Sequence, residues 1–214
     1  MEDVDVNTSA DDGASGRAGY RRSAGSPRGE ARRRELLDRV TDDLAANGLV
    51  DFSLRRAARA AGTTHKVLLY HFDGVDDLLK QAVVQLRARR IGKGLAAATD
   101  VPAGTSLAAR VRAIWPILVG DEGLVLDQAI GLAMYDSDRY AYLGRDASAQ
   151  YMPTLLAICP EHWSDQRKLE VSEMILGVLR GFLVAARTRG NTAGAESGFA
   201  ALTRALEREE AADE

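Results

Sequence analysis

The sequence predicts an all-α chain of about nine helices. Three observations carry this. Apolar residues recur at helical spacing in nearly every segment after Gly29. Gly-, Pro- and Asn-Gly breaks fall at intervals that suit helices rather than strands. No segment shows the alternation and turn chemistry of a hairpin, and no repeat recurs at a fixed period. With 214 residues, 46% hydrophobic and 28% charged, the chain can form one large domain or two small ones. Its apolar runs are far shorter than the roughly 18–20 residues that cross a bilayer, so no membrane partner is expected. Residues 1–16 are acidic and small, unlike a secretory leader, and the expected location is the cytoplasm. The single cysteine, Cys159, excludes an intrachain disulfide and a Cys-based zinc site.

Residues 1–28 hold almost no large apolar groups and cannot offset the entropy of ordering, so they read as a disordered arm whose arginines could touch DNA. From Gly29, Leu37, Val40 and Leu44 mark a first helix that Asn47-Gly48 stops. Ser53 is a good N-cap for a short Ala-rich helix through Ala61, which Gly62 ends. Thr63 or Thr64 caps the next helix, to about Tyr70, and Asp73-Gly74 turns the chain. A longer helix starts near Val75, with Leu78, Leu79, Ala82, Val83 and Leu86 on one side. Two short helices joined by a Gly-containing turn are the helix-turn-helix layout, and Ala57, Ala58 and Ala61 supply the small side chains of a steep crossing.

After the linker-like stretch 100–105, helices are expected at about 106–120, 122–135, 139–158, 165–189 and 193–209. Pro116 should kink the first of these or end it early, and Pro160 and Gly190-Asn191 stop the third and fourth. Three regions result: an arm at 1–28, a helix-turn-helix domain at 29–75 and a helical body at 76–210. Charge divides the same way. Residues 28–95 carry 14 basic and 9 acidic side chains, and residues 96–214 carry 11 and 17. A basic front on an acidic body fits a nucleic-acid-binding module joined to a different kind of domain.

The segment Ser53-Leu-Arg-Arg-Ala-Ala-Arg-Ala-Ala-Gly62-Thr-Thr-His-Lys-Val-Leu-Leu-Tyr-His-Phe72, with Asp76-Asp-Leu-Leu79, resembles the DNA-binding domain of the TetR family of bacterial repressors. The resemblance covers about residues 30–90. The body has the family's size and helix count without a diagnostic sequence. It implies double-stranded operator DNA, an unknown small-molecule effector and a homodimer. It also implies a ligand-responsive transcriptional regulator, a repressor released from its operator. Two positions depart from the family pattern. Leu69 stands where the family usually has a phosphate-contacting Tyr, and Val75 where it usually has Lys. Each lost phosphate contact lowers affinity and flattens the salt slope by about one unit. The alternative reading is therefore a ligand- or protein-sensing helical module with weakened DNA binding.

The residues expected at DNA are Ser53, Arg55, Thr63, Thr64, His65, Lys66, Tyr70 and His71. His65 and Lys66 fall in the first turn of the recognition helix, where such helices meet base edges, and Lys66 can donate to guanine O6 and N7. His71 serves either there or in packing. Val67, Leu68 and Phe72 read as core. In the body, Trp115, Gln128, Met134, Tyr135, Tyr142, Tyr151, Met152 and Met174 combine adaptable apolar surface with polar handles and are the ligand-binding candidates. Asp127 and Asp136 could pair with a cationic ligand or stand exposed to solvent. Gly177 and Gly181, four apart on a long apolar helix, permit close helix approach. With Phe182, Phe199, Leu202 and Leu206 they are the dimerisation candidates, since the family pairs its last two helices across a two-fold axis. His65, His71 and His162 are scattered, and no P-loop, dinucleotide or nucleophile-elbow motif occurs. No catalytic set, metal site or cofactor is expected, and Cys159 reads as a buried structural thiol.

Overall fold

The computed structural model describes residues 26–102, 104–120 and 123–212. The expected arm lies outside them apart from Ser26, Pro27 and Arg28. The described residues form ten α-helices and no strand, so the all-α class holds. They are α1 (Pro27–Asn47), α2 (Leu54–Ala60), α3 (His65–His71), α4 (Val75–Thr99) and α5 (Leu107–Val119), then α6 (Leu124–Tyr135), α7 (Ser137–Gly144), α8 (Ala147–Ile158), α9 (Asp165–Arg189) and α10 (Ala193–Ala211).

Local chemistry sets most of these bounds. α1 opens at Pro27, whose ring pre-sets the first helical position, and the Ser26 hydroxyl accepts the Gly29 N–H at 3.1 Å. Ser106 and Ser164 cap α5 and α9 by accepting the N–H three residues on. α9 closes on Gly190 in the left-handed region, with Arg187 and Arg189 in its last turn. Pro116 does not end α5 early. It stands near the helix end, where the chain completes its turn to Val119 before Gly120. The single helix expected at 139–158 is two, α7 and α8, parted at Arg145-Asp146. Asp136 caps α7 by accepting the Arg139 N–H at 3.2 Å. Gly144, at its other end, lets α7 lie close to α6, for a Cβ there would stand 3.1 Å from the Ala133 Cβ.

The chain divides into two compact units. One comprises the described part of Met1–Val40 with Phe52–Leu78, and the other Thr41–Asp51 with the described part of Leu79–Glu214. α1 and α4 each contribute to both. The first unit buries Leu36, Val40, Ala57, Ala58, Ala61, Leu68, Phe72 and Leu78. The second is built on α5, α8, α9 and α10 around an aromatic cluster. Trp115 packs 5.4 Å from Phe199 and 6.1 Å from Phe182, centroid to centroid. Among the described residues no helix is long and apolar enough to cross a membrane.

Candidate nucleic-acid interface and body cavity

Ser53 is extended, and its hydroxyl accepts the Arg56 N–H at 3.3 Å to start α2. Gly62 turns the chain at φ +62°. The Gly62 N–H reaches the Arg59 carbonyl at 3.1 Å and the Thr63 N–H reaches the Ala58 carbonyl at 2.9 Å. These are the two bonds of a Schellman closure, which satisfy carbonyls the helix end would otherwise leave open. From α1, the Arg39 Nη1 donates to the Ala61 carbonyl at 3.1 Å. Thr64 then starts α3, its hydroxyl accepting the Val67 N–H at 3.4 Å. Of the two candidate caps, Thr64 is the one used. Ala57, Ala58 and Ala61 are buried where α2 meets α3, and Leu68 and Phe72 hold α3 from below.

Thr64, His65, Lys66 and Leu69 stand exposed on the other side of α3, with Ser53 and Arg55 exposed at α2 and Thr63 half-buried. Residues 52–72 include Arg55, Arg56, Arg59 and Lys66 and no acid. Arg55, Arg59 and Lys66 are exposed and pair with no carboxylate among the described residues. Three arginines of α1, Arg32, Arg33 and Arg39, are engaged inside the unit. Arg32 and Arg39 both bind Glu35, at 2.6 and 2.7 Å, and the Arg32 hydrogen bond holds that carboxyl below its usual range. The Arg33 Nε donates to the His71 carbonyl at 3.1 Å, and its guanidinium lies 4.9 Å from the Phe72 ring centre.

For His71, open in sequence to DNA contact or to packing, the burial of the ring favours packing. It is half-buried, and its Nδ1 is buried with no hydrogen-bond partner. Burial first, then the charges of Arg33 and Arg32, push its pKa down and keep the ring neutral. Tyr70 is half-buried as well and meets the His71 ring edge-on at 4.7 Å. Leu69 is 53% exposed on the same side as His65 and Lys66. Val75 opens α4 beside Asp76 and Asp77, and Asp77 accepts the Asp73 N–H at 3.0 Å.

The second unit encloses a cavity of about 450 Å³ between α4, α5, α6, α8 and α9. That volume is within the range of small-molecule sites. Its wall is mostly apolar, interrupted by Arg87, Arg90, Asp127, Gln128, Arg180 and Arg187. Arg187 binds Asp127 at 3.1 Å and the Gly120 carbonyl at 3.1 Å. Arg90 approaches Asp127 at 3.9 Å and donates to the Leu118 carbonyl at 2.6 Å. Asp127 is thus held by two arginines, neither solvent-exposed nor free for a cationic ligand. Asp136 is engaged as the cap of α7. The Gln128 Oε1 accepts the Leu49 N–H at 3.0 Å. Gly48, at φ +71°, allows this approach, since a Cβ there would lie 3.0 Å from that oxygen. Cys159 lies apart in the core, donating to the Leu155 carbonyl at 3.3 Å, and burial raises its pKa. Among the described residues no cluster of three or more His, Cys, Asp or Glu could hold a metal.

No family model and no curated protein matches this chain. Solved structures do. The multidrug binding protein EbrR, solved with imidazole, superposes with a TM-score of 0.62 at 20% identity, over 85% of this chain and 91% of that one. A transcriptional regulator from Rhodococcus sp. Rha1 gives 0.58 at 17% identity, over 83% and 96%. A TetR transcription regulator from Haloarcula marismortui gives 0.57 at 17% identity, over 84% and 98%. The chain has the TetR-type fold.

Within this TetR-type fold the expected ligand residues separate. Gln128, Met134 and Tyr151 line the cavity. Trp115 belongs to the core instead, and Met152, partly buried, packs against it. Tyr135 is 89% exposed and Tyr142 half-buried, and neither reaches the cavity wall. Met174 borders a shallow groove with Arg167 and Glu209. The cavity arginines were not expected. Arg90 continues the apolar stripe of α4 four residues past Leu86, and that register was the available signal. The dimerisation set separates too. Gly177 and Gly181 face open space on α9, where an added Cβ would meet nothing within 4 Å. Phe199, Leu202 and Leu206 are buried in the unit's own core and are corrected to core residues, whereas Phe182 is partly buried against it.

Proposed function

We propose that this chain is a ligand-responsive, DNA-binding transcriptional regulator that acts as a homodimer, a repressor released from its operator by a small molecule. One observation carries the reading. The Gly62 turn sets α3 so that His65 and Lys66 stand exposed in a segment, 52–72, that carries basic side chains and no acid, while Leu68 and Phe72 anchor the helix behind them. Such a helix enters the major groove by its first turns. Lys66 donates to guanine O6 and N7, and Ser53, Arg55, Thr63 and Thr64 hold the phosphates at its edges. Tyr70 is left a partial phosphate role. The exposed Met174, Gly177 and Gly181 supply a seam on α9 for a second copy. The arginine-lined cavity is the effector site, and useful induction needs a coupling of about 1–3 kcal/mol between it and the DNA surface.

The test is binding of the whole protein to the DNA upstream of its own coding sequence at two salt concentrations. Specific binding that weakens steeply with salt is expected, and its absence on every duplex overturns the reading. The exposure of Leu69 favours one second reading, a sensor with weakened DNA binding. Here Leu69→Tyr with Val75→Lys decides. Each residue restores about one phosphate contact, so the pair should steepen the salt slope by about two units. A gain confined to that pair, from an undetectable starting affinity, supports the sensor reading. Strong binding without it supports the repressor.

A further inference from the structure

We infer that the cavity of the second unit takes an amphipathic organic anion, its acidic head against Arg180 and Arg90 and its apolar body along Ile114, Leu155 and Leu179. The inference rests on reading this cavity as the effector site and names the chemical class of the effector.

The cavity wall carries four guanidiniums and one carboxylate. That carboxylate, Asp127, is already taken by Arg187 and Arg90. The hydrogen bonds of the other two guanidiniums go to neutral acceptors. Arg87, 3% exposed, donates to the Leu143 carbonyl at 2.9 Å and to the Gln150 side chain. The Arg180 Nη1 donates to the Ser148 hydroxyl at 2.9 Å. Neither has a carboxylate at ion-pair distance among the described residues. Two donors are left over. The Arg180 Nη2 is buried without a partner, and so is the Nε of Arg90, whose side chain is 8% exposed.

Charge held this way is unfavourable. A buried cation without a counter-ion loses its hydration and regains little from neutral acceptors. Arg87 registers the strain: burial pulls its pKa below the ordinary value and the charges of Arg180 and Arg90 pull it further, while Tyr151 and Asp146 oppose them. An anionic head supplies both the missing charge and acceptors for the unpartnered N–H groups, in the arrangement where such hydrogen bonds are strongest. A neutral ligand supplies no charge, and a cation adds to the repulsion. The apolar wall requires that the rest of the ligand be hydrocarbon-like, and about 450 Å³ accommodates a chain of ten or so carbons.

Calorimetric titration of the whole protein with three probes of equal chain length, decanoate, decanol and decyltrimethylammonium, tests this. Decanoate should bind at least tenfold more tightly than either of the others. Arg180→Met should remove most of that preference and leave decanol binding as it was, and Arg180→Lys, which keeps the charge, should retain part of it. The inference is overturned if decanol or the cation equals decanoate, if none of the three binds, or if Arg180→Met keeps the full preference. The wild-type ratio decides alone should the variant fail to fold. Decanoate that binds with the expected preference yet does not displace operator DNA leaves the ligand class standing and removes the regulatory reading.

Discussion

His71 and Leu69 sit two residues apart on α3, and each does the opposite of what its type suggests. The histidine is turned into the unit with an unpartnered Nδ1, and the leucine is turned out. Because the folded pKa of His71 is lowered, the unfolded chain binds the proton first. Its contribution to stability is therefore complete above about pH 6.5 and is lost as pH falls below that value. Thermal melts at pH 7.5 and 5.5 should show a larger loss for the wild type than for His71→Phe. An equal loss would mean that the ring is not held neutral. Sequence could place His71 on α3 but not on a side of it. Six residues separate it from His65, and spacing alone leaves contact and packing equally open. The fold buries its Nδ1 and brings Arg33 to its carbonyl, which favours packing.

The short helices depend on their ends more than on their middles. α2 and α3 each span only two turns, too few to be stable in isolation, so the Ser53 and Thr64 caps and the Gly62 closure do much of the holding. Gly62→Ala puts a Cβ on a left-handed residue, 3.3 Å from the Arg39 Nη1. It should destabilise the protein by about 1–2 kcal/mol in urea unfolding, whereas Gly62→Asn, which tolerates that conformation, should cost less. Gln128 plays the same part for the end of α1. Gln128→Ala leaves the N–H of buried Leu49 without an acceptor and should cost about 1–3 kcal/mol by the same measurement. At this scale the sequence was largely readable, because caps and closing glycines act through neighbours in the chain. It misled at 139–158, where the apolar period runs on through a break made by Gly144 and its contact with Ala133. The period reports which residues face inward and is blind to a change of axis.

For the whole molecule, the least legible feature was the cavity. Trp115 and Met152 look like ligand contacts in sequence, yet Trp115 is core and Met152 packs against it, while Arg87 and Arg90 look like surface and are buried, and half-buried Arg180 and Arg187 line the cavity with them. Residue type predicts burial only on average, and the lining of a cavity is where the average fails. The α9 seam gives a test with opposite signs. Gly177 and Gly181 have open space around them in the single chain, so Gly177→Glu with Gly181→Glu improves helix propensity and should leave the monomer at least as stable. The same glutamates place like charges face to face across a two-fold axis. Sedimentation should show a dimer for the wild type and a monomer for the variant. A dimer that survives both changes places the seam elsewhere.

The division of the chain also sets a timetable for its birth on the ribosome. The first unit is complete once Leu78 has been made, yet Thr41–Asp51, threaded between its two parts, belongs to the second. Asp42 waits for Arg89, and the Leu49 amide waits for Gln128. At about 5–20 residues per second, the end of α1 stays without its acceptor for several seconds after the helix-turn-helix can close. On the proposed reading, the nascent protein therefore acquires its surface for DNA before it acquires the cavity for its effector.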